Sequence, residues 1–213
     1  MRGIRQHVNP LGLAFMRVRA RPIERPAHLE PGCEVDVELG CADADFSFAL
    51  ARLHPERLVV GLEIREKVVA LNRARAAAEG LPNLAFGYVN LNVDMDQVFG
   101  PGEVDRFHLL FPDPWFKERH HKRRVIEPAL ARVLARQLRP GGELHAASDV
   151  FEIALEIMAT VEDPHLAPLG LRNLAGPWSF WRGNPFEVAS RREQTTLRRE
   201  QRVWRMRYAL AGG

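Results

Sequence analysis

The sequence has little cysteine and no long apolar run. No apolar stretch among its 213 residues is long enough to cross a bilayer, and the N-terminus MRGIRQHVNP lacks the apolar segment of a secretory signal. We therefore expect a cytoplasmic protein with no membrane partner. The two cysteines, Cys33 and Cys41, have neither CxxC nor Cys/His ligand spacing, which argues against a disulfide scaffold and against a zinc site.

The net charge is also small, formally +3, but the charged residues are unevenly placed. Basic residues crowd the first twenty-five positions, the segment 117–124 and the tail 191–207, whereas acids gather around 34–45. Most of the basic residues are arginines, whose guanidinium group can bind phosphate through two N–H groups at once. A solvated charged face is the ordinary explanation of such clusters, and phosphate binding is the functional one.

Strand-like and helix-like segments alternate along the middle of the chain, whose length suits one α/β domain. Strands are predicted at 34–39, 57–62, 83–89, 105–111 and 143–147, and helices at 45–53, 66–79, 125–138 and 150–161. This alternation predicts a mostly parallel, doubly wound sheet. Residues 195–210 look extended and predict an antiparallel hairpin at the sheet edge. We expect a basic arm at 1–30 and a single domain at 31–213.

The carboxyl ends of the predicted strands carry several polar residues. In an open parallel sheet, ligands bind beyond these ends, near the point where the strand order reverses. Glu38 lies at the end of the first strand, at its turn, and Glu63 lies at the end of the second. A pyrophosphate would need glycines and no acid at these positions. We therefore expect S-adenosylmethionine rather than NAD, with Glu63 accepting hydrogen bonds from ribose hydroxyls and Glu38 near the methionine end. A solvated rim charge is the alternative for Glu38.

The segment FPDPWFKERHHKRR, residues 111–124, places one carboxylate between two prolines and then adds a basic run. A fixed carboxylate beside an aromatic plate suggests a pocket for a flat polar group, and the basic run suggests that this group arrives attached to phosphates. Each proline restricts the residue before it, so we expect extended backbone at Phe111 and Asp113. His120 and His121 have no partner at metal-ligand spacing, so we expect no metal.

The order of these motifs resembles the bacterial tRNA (guanine-N7)-methyltransferase family. The motifs cover roughly residues 34–207 and are Glu38-Leu39-Gly40, Gly61-Leu62-Glu63, Asn83, FPDPW at 111–115, HHKRR at 120–124, Pro140-Gly141-Gly142-Glu143-Leu144 and Ser148-Asp149. The resemblance implies a Rossmann-like class I methyltransferase fold and S-adenosylmethionine as cofactor. It also implies methyl transfer to N7 of a variable-loop guanosine in tRNA, by a monomer or a homodimer.

The resemblance also assigns roles to single residues. Those that hold the cofactor or work at the reaction centre are Glu38, Gly40, Glu63, Asn90 and Asp113. Those that contact the tRNA substrate are Lys117, Asp149, Ser190 and Glu193, the last two in a motif similar to Thr-x-x-Glu. The phosphate-binding run is Arg119, Lys122, Arg123 and Arg124. Guanine N7 carries a lone pair and no proton, so no general base is needed, and we expect the catalytic Asp113 to accept hydrogen bonds from the guanine N1 and N2 donors.

Some of these roles have plain structural alternatives. Asp113 could instead be a turn acid that caps the next helix. Trp115 could stack on the base or simply pack the loop. The tail arginines could extend the basic track or lie solvated on an ordinary edge strand.

Four positions depart from the family pattern. Ala42 and Ala44 stand where glycines are usual, and alanine resists positive backbone φ angles and adds a methyl group, which predicts weaker cofactor binding. Glu200 and Arg205 stand where a glycine and an aspartate are usual, which predicts an altered edge hairpin. Two rival functions stay open: an RNA-binding homologue that has lost the cofactor, and a class I methyltransferase with a non-tRNA substrate.

Overall fold

The computed structural model describes residues 9, 12, 15–113 and 126–212. Their strands form one sheet in the order β3-β2-β1-β4-β5-β7-β6. The strands are β1 Val35–Leu39, β2 Leu58–Glu63, β3 Leu84–Tyr88, β4 Val104–Leu110, β5 Leu138–Ser148, β6 Leu171–Asn173 and β7 Trp204–Leu210. Strands β1 to β5 pair in parallel, and β7 pairs antiparallel with both β5 and β6. The prediction of a mostly parallel sheet with an antiparallel edge is confirmed.

Within the described part of the chain, five α-helices connect or flank these strands. They are α1 Asp45–Leu53, α2 Glu66–Ala78, α3 Pro128–Gln137, α4 Phe151–Val161 and α5 Arg191–Arg198. Pro128 is the first residue of α3, a position whose backbone N–H has no partner within the helix, so its absence in proline costs no hydrogen bond. Among the residues that the structure describes, none of the helices is long and apolar enough to cross a membrane.

The strands bury side chains on both faces of the sheet, so the core has two parts. Val37 and Phe107 pack on one face with α3 and α4, and Val59 and Phe86 pack on the other with α1 and α2. This alternation follows from the two-residue period of a strand. The two layers of helices hold the central strands in place and leave their carboxyl ends open at one edge.

Part of the predicted N-terminal arm packs against this domain. The backbone N–H of Ala20 donates to Asp94 Oδ2 at 3.0 Å, and that of Ile23 donates to the carbonyl of Val98 at 3.2 Å. Val18 and Leu29 are buried. The division of the chain at residue 30 stays a prediction, since residues 1–8 lie outside the described part.

Two local predictions were wrong. Residues 195–198, expected to be extended, belong to α5, because Ser190 caps this helix by accepting a hydrogen bond from the backbone N–H of Glu193 at 3.2 Å. The spacing Ser-x-x-Glu is the sequence signal of such a start. Phe111 has a φ of 51°, a left-handed conformation rather than the extended one expected before a proline. Its N–H donates to the carbonyl of Ala147 at 2.7 Å, which ties the turn to β5.

Candidate cofactor and substrate site

A cavity of about 760 Å³ opens at the carboxyl ends of β1 to β4. It lies where the strand order reverses between β1 and β4, as expected for an open parallel sheet. Its volume falls within the range of small-molecule sites, about 300–1,000 Å³. The predicted site residues that line it are Glu38, Gly40, Glu63, Asn90, Asp113, Asp149 and Ser190.

Glu38 is a buried acid at the end of β1, only 7% exposed. Its Oε2 accepts hydrogen bonds from the backbone N–H of Ser47, at 3.2 Å, and from the Ser47 hydroxyl. Burial raises the pKa of Glu38 to about 7, in spite of these two hydrogen bonds, which act in the opposite direction. The ion pairs recorded among the described residues do not include Glu38. A cationic ligand group would therefore relieve the cost of ionising this carboxyl group.

Glu63, at the end of β2, is held firmly in place. Its Oε1 accepts from the backbone N–H and Nε of Arg65 at 2.9 and 3.0 Å. Its Oε2 accepts from Arg65 Nη2 at 2.9 Å and from the Ala42 N–H at 3.1 Å. The hydrogen bonds from Arg65 to Glu63 raise the pKa of the guanidinium, and the charge of Asp113 adds to the shift. Ribose hydroxyls that reached Glu63 would share it with Arg65.

The loop after β1 has the backbone of a glycine-rich turn although two of its residues are alanines. Gly40, Ala42 and Ala44 have φ angles of 74°, 46° and 56°. Both alanines therefore adopt the positive φ angles that alanine resists. The Ala42 N–H donates to Glu63, and the Ala42 carbonyl accepts from Asn72 Nδ2 at 2.8 Å. These two bonds hold Ala42 in the left-handed region, which is unfavourable for L-residues by roughly 1–2 kcal/mol. Weaker cofactor binding stays a prediction.

Asn90 and Asp113 also line the cavity. Asn90 follows β3 and is buried. Its Nδ2 donates a hydrogen bond to the carbonyl of Phe15 at 3.2 Å, and its Oδ1 accepts one from the Asn92 N–H at 3.2 Å. The N-terminal stretch therefore reaches the site. Asp113 lies on the cavity wall, close enough for its charge to act on Arg65. The structure thus places the predicted catalytic carboxylate at the same cavity as Glu38 and Glu63.

The substrate side is built around the start of α5. Asp149 Oδ2 accepts from Arg192 Nε at 2.7 Å and from the Thr196 hydroxyl at 3.3 Å. Ser190 caps the helix and lines the cavity. Glu193 instead points into the protein, is only 2% exposed, and forms an ion pair with Arg205. Glu193 is therefore not among the residues that line the cavity.

Several functional side chains were missed by sequence reasoning. Ser47, Asn72 and Arg65 hold the predicted acids and the loop. Ser47 and Asn72 are at ordinary helix positions and Arg65 directly precedes α2, so their positions gave no signal. Some of the predicted site residues lie outside the described part of the chain. They are the tRNA-contacting Lys117, the phosphate-binding Arg119, Lys122, Arg123 and Arg124, the aromatic Trp115, and His120 and His121. Within the described part, no group of His, Cys, Asp and Glu could hold a metal ion.

Two of the solved structures with a similar fold are named as methyltransferases. The 16S rRNA methyltransferase KamB aligns with a TM-score of 0.58 at 20% identity, covering 87% of this chain and 90% of that one. A SAM-dependent methyltransferase from Aquifex aeolicus aligns with a TM-score of 0.56 at 14% identity, covering 84% and 82%. These likenesses establish the fold of the chain, a mostly parallel sheet with the acidic cavity at its carboxyl edge.

Sequence relatives identify the family of the chain. A family model described as "Putative methyltransferase" matches residues 34–206. A tRNA (guanine-N(7)-)-methyltransferase of Thermosynechococcus vestitus is 36% identical over 205 residues, which cover 96% of this chain and 93% of that protein. One of Synechococcus sp. strain JA-2-3B'a(2-13) is 33% identical over 208 residues, covering 95% and 82%. The chain belongs to the tRNA (guanine-N(7)-)-methyltransferase family.

Proposed function

We propose that this protein transfers a methyl group to N7 of a variable-loop guanosine in tRNA. The observation that supports this most directly is the meeting of buried acids and Asp113 at one cavity, in a chain whose relatives bear that name. S-adenosylmethionine supplies a methyl group on a positively charged sulfonium. The acids present at the cavity suit a ligand of that charge.

Each cavity residue has a role in this proposal. Glu63 binds the ribose hydroxyls, Glu38 lies near the methionine end, and Asn90 and the loop at Gly40 bound the remaining space. The left-handed residues Gly40, Ala42 and Ala44 bring backbone close to the cavity with no side chain larger than a methyl group at these three positions. These residues hold the cofactor in a fixed orientation, which is the main requirement of an in-line displacement.

Asp113 acts on the substrate. Because N7 has a free lone pair, the reaction needs no base to remove a proton. Asp113 accepts hydrogen bonds from the N1 and N2 donors of guanine and stabilises the positive charge that grows on the ring. Positioning of this kind can account for roughly 7–11 kcal/mol of the barrier.

The basic surface around the cavity holds the tRNA backbone. Arg191 and Arg192 are exposed at the start of α5, and Arg199 lines the cavity beside them. Arginines at phosphates position an RNA without reading its sequence, and binding then weakens as salt rises. The basic run at 117–124, expected to bind phosphate, lies outside the described residues. The oligomeric state, monomer or homodimer, and the cytoplasmic location stay predictions.

The test is methyl transfer from labelled S-adenosylmethionine to unmodified tRNA transcripts, followed by detection of 7-methylguanosine by nucleoside mass spectrometry. We expect one methylated position, lost when the variable-loop guanosine is replaced by adenosine. Methylation of that control tRNA at the same level would refute the substrate assignment. Calorimetry with each ligand tests the alternative function. Binding of tRNA without any binding of S-adenosylmethionine would favour an RNA-binding homologue that is not an enzyme.

Asp113 is tested separately. Asp113→Asn and Asp113→Ala are expected to abolish nearly all turnover while the affinity for S-adenosylmethionine stays close to that of the wild type. Asp96→Asn, an exposed carboxylate outside the cavity, is the matched control and keeps full activity. An active Asp113→Ala enzyme would remove Asp113 from the reaction.

A further inference from the structure

Three aromatic side chains form a cluster beside the cavity. Phe151 begins α4, Trp204 begins β7, and Phe180 lies in the chain before α5. The ring centroids of Phe151 and Trp204 are 4.6 Å apart, and those of Phe180 and Trp204 are 4.8 Å apart. Phe151 is nevertheless 41% exposed. The cluster is therefore packed from within but presents ring surface to the solvent.

The cluster lies at the carboxyl edge of the sheet, where the cavity opens. Trp204 pairs with Ser148, the last residue of β5. Phe151 follows Asp149 by two positions, and Asp149 lines the cavity and accepts a hydrogen bond from Thr196 of α5. A polynucleotide with one base in the cavity would have its neighbouring nucleotides along this rim.

The charges next to the rings suit a nucleotide better than an apolar protein surface. The guanidinium carbon of Arg202 lies 4.0 Å from the centroid of the Trp204 ring, and Arg202 is exposed. Glu152, next to Phe151 on α4, is exposed and would repel a phosphate. A neutral flat group thus fits over Phe151 and a phosphate fits near Arg202. Single-stranded nucleic acids bind in this way, with bases stacked on rings and phosphates beside cations.

We infer that Phe151, Phe180 and Trp204 form a stacking platform for an unpaired base of the RNA substrate, close to the guanosine that enters the cavity. Phe151 offers its ring to the base, and Phe180 and Trp204 fix the orientation of that ring. Arg202 neutralises the adjoining phosphate. This inference rests on the proposed function, because it requires an RNA substrate.

The test compares three substitutions on the exposed side of α4 by the dissociation constant for tRNA at one fixed salt concentration. Phe151→Leu keeps an apolar side chain but removes the ring, and we expect tRNA binding to weaken roughly five- to a hundredfold. Phe151→Tyr keeps the ring and binds like the wild type. Leu155→Ala, one turn further along and also exposed, is the matched control and has no effect. The affinity for S-adenosylmethionine stays constant in all three.

Different results would overturn the inference in different ways. Phe151→Leu protein that binds tRNA as tightly as the wild type would show that the ring does not stack on the RNA. Equal losses in Phe151→Leu and Leu155→Ala would show that the effect does not come from the aromatic ring, and would overturn the stacking platform. A wild-type protein that binds no tRNA would instead refute the proposed function itself, and the platform with it.

Discussion

Replacing Glu38 with glutamine should stabilise the protein at alkaline pH and weaken its cofactor binding. Burial raises the pKa of Glu38 to about 7 from the ordinary 4.5, so the folded state holds a proton that the unfolded state releases between these values. Stability contributed by this proton is therefore lost as pH rises from 4.5 through 7. Glutamine has no charge to bury, and its side-chain oxygen can still accept from Ser47.

The size of the effect follows from the pKa values. A shift from 4.5 to about 7, at 1.36 kcal/mol for each pH unit, corresponds to about 3 kcal/mol of destabilisation in the wild type at pH 8. At pH 5 the same shift in pKa destabilises the wild type by only about 1 kcal/mol. We therefore expect Glu38→Gln to raise the free energy of unfolding by about 3 kcal/mol at pH 8 and by about 1 kcal/mol at pH 5.

Urea unfolding of both proteins at the two pH values measures this difference. Glu152→Gln, on the exposed side of α4, is the control and should change the free energy of unfolding little at either pH. A Glu38→Gln protein that gains the same stability at both pH values, or loses stability at pH 8, would refute the argument that burial penalises this carboxylate. Calorimetry should show weaker binding of S-adenosylmethionine to the same variant, since a negative charge next to a cationic ligand is gone.

Four further substitutions test individual contacts of the fold. Ala42→Gly should raise the free energy of unfolding by about 1 kcal/mol in urea unfolding, because glycine takes the left-handed backbone without strain. Asn72→Leu should then cost less stability in the Ala42→Gly background than in the wild type, since its hydrogen bond holds Ala42; additive losses would contradict this. Arg205→Met should destabilise by about 3–5 kcal/mol because Glu193 is left buried and unpaired, and adding Glu193→Gln should recover much of the loss. Burial lowers the pKa of His145, so below pH 6.5 the unfolded imidazole takes up a proton while the folded one stays neutral, and stability falls. His145→Leu should reduce this loss of stability, measured by thermal melts across the acid range. An unchanged dependence of melting temperature on pH would contradict the argument.

Much of the fold could be predicted because strands and helices leave a periodic trace. The strands β1 to β4 and the helices α1, α2 and α4 lie within about two residues of their predicted bounds. Their apolar spacing is a local property, and parallel strands joined by helices admit few arrangements. The rule for strand ends then placed Glu38 and Glu63 at one cavity before any contact was known.

What the sequence determined by itself was this periodic frame and the set of acids at its carboxyl edge. Tertiary structure decided the pairing, because partners far apart along the chain leave no periodic signal: Asn72 holds Ala42 from 30 residues away, and Arg192 reaches Asp149 from 43 residues away. It also decided that Glu193 turns inward to Arg205 and that two alanines take a glycine-like backbone. Burial and hydrogen bonds from distant elements outweigh local preference at such positions, and only the folded chain brings them together.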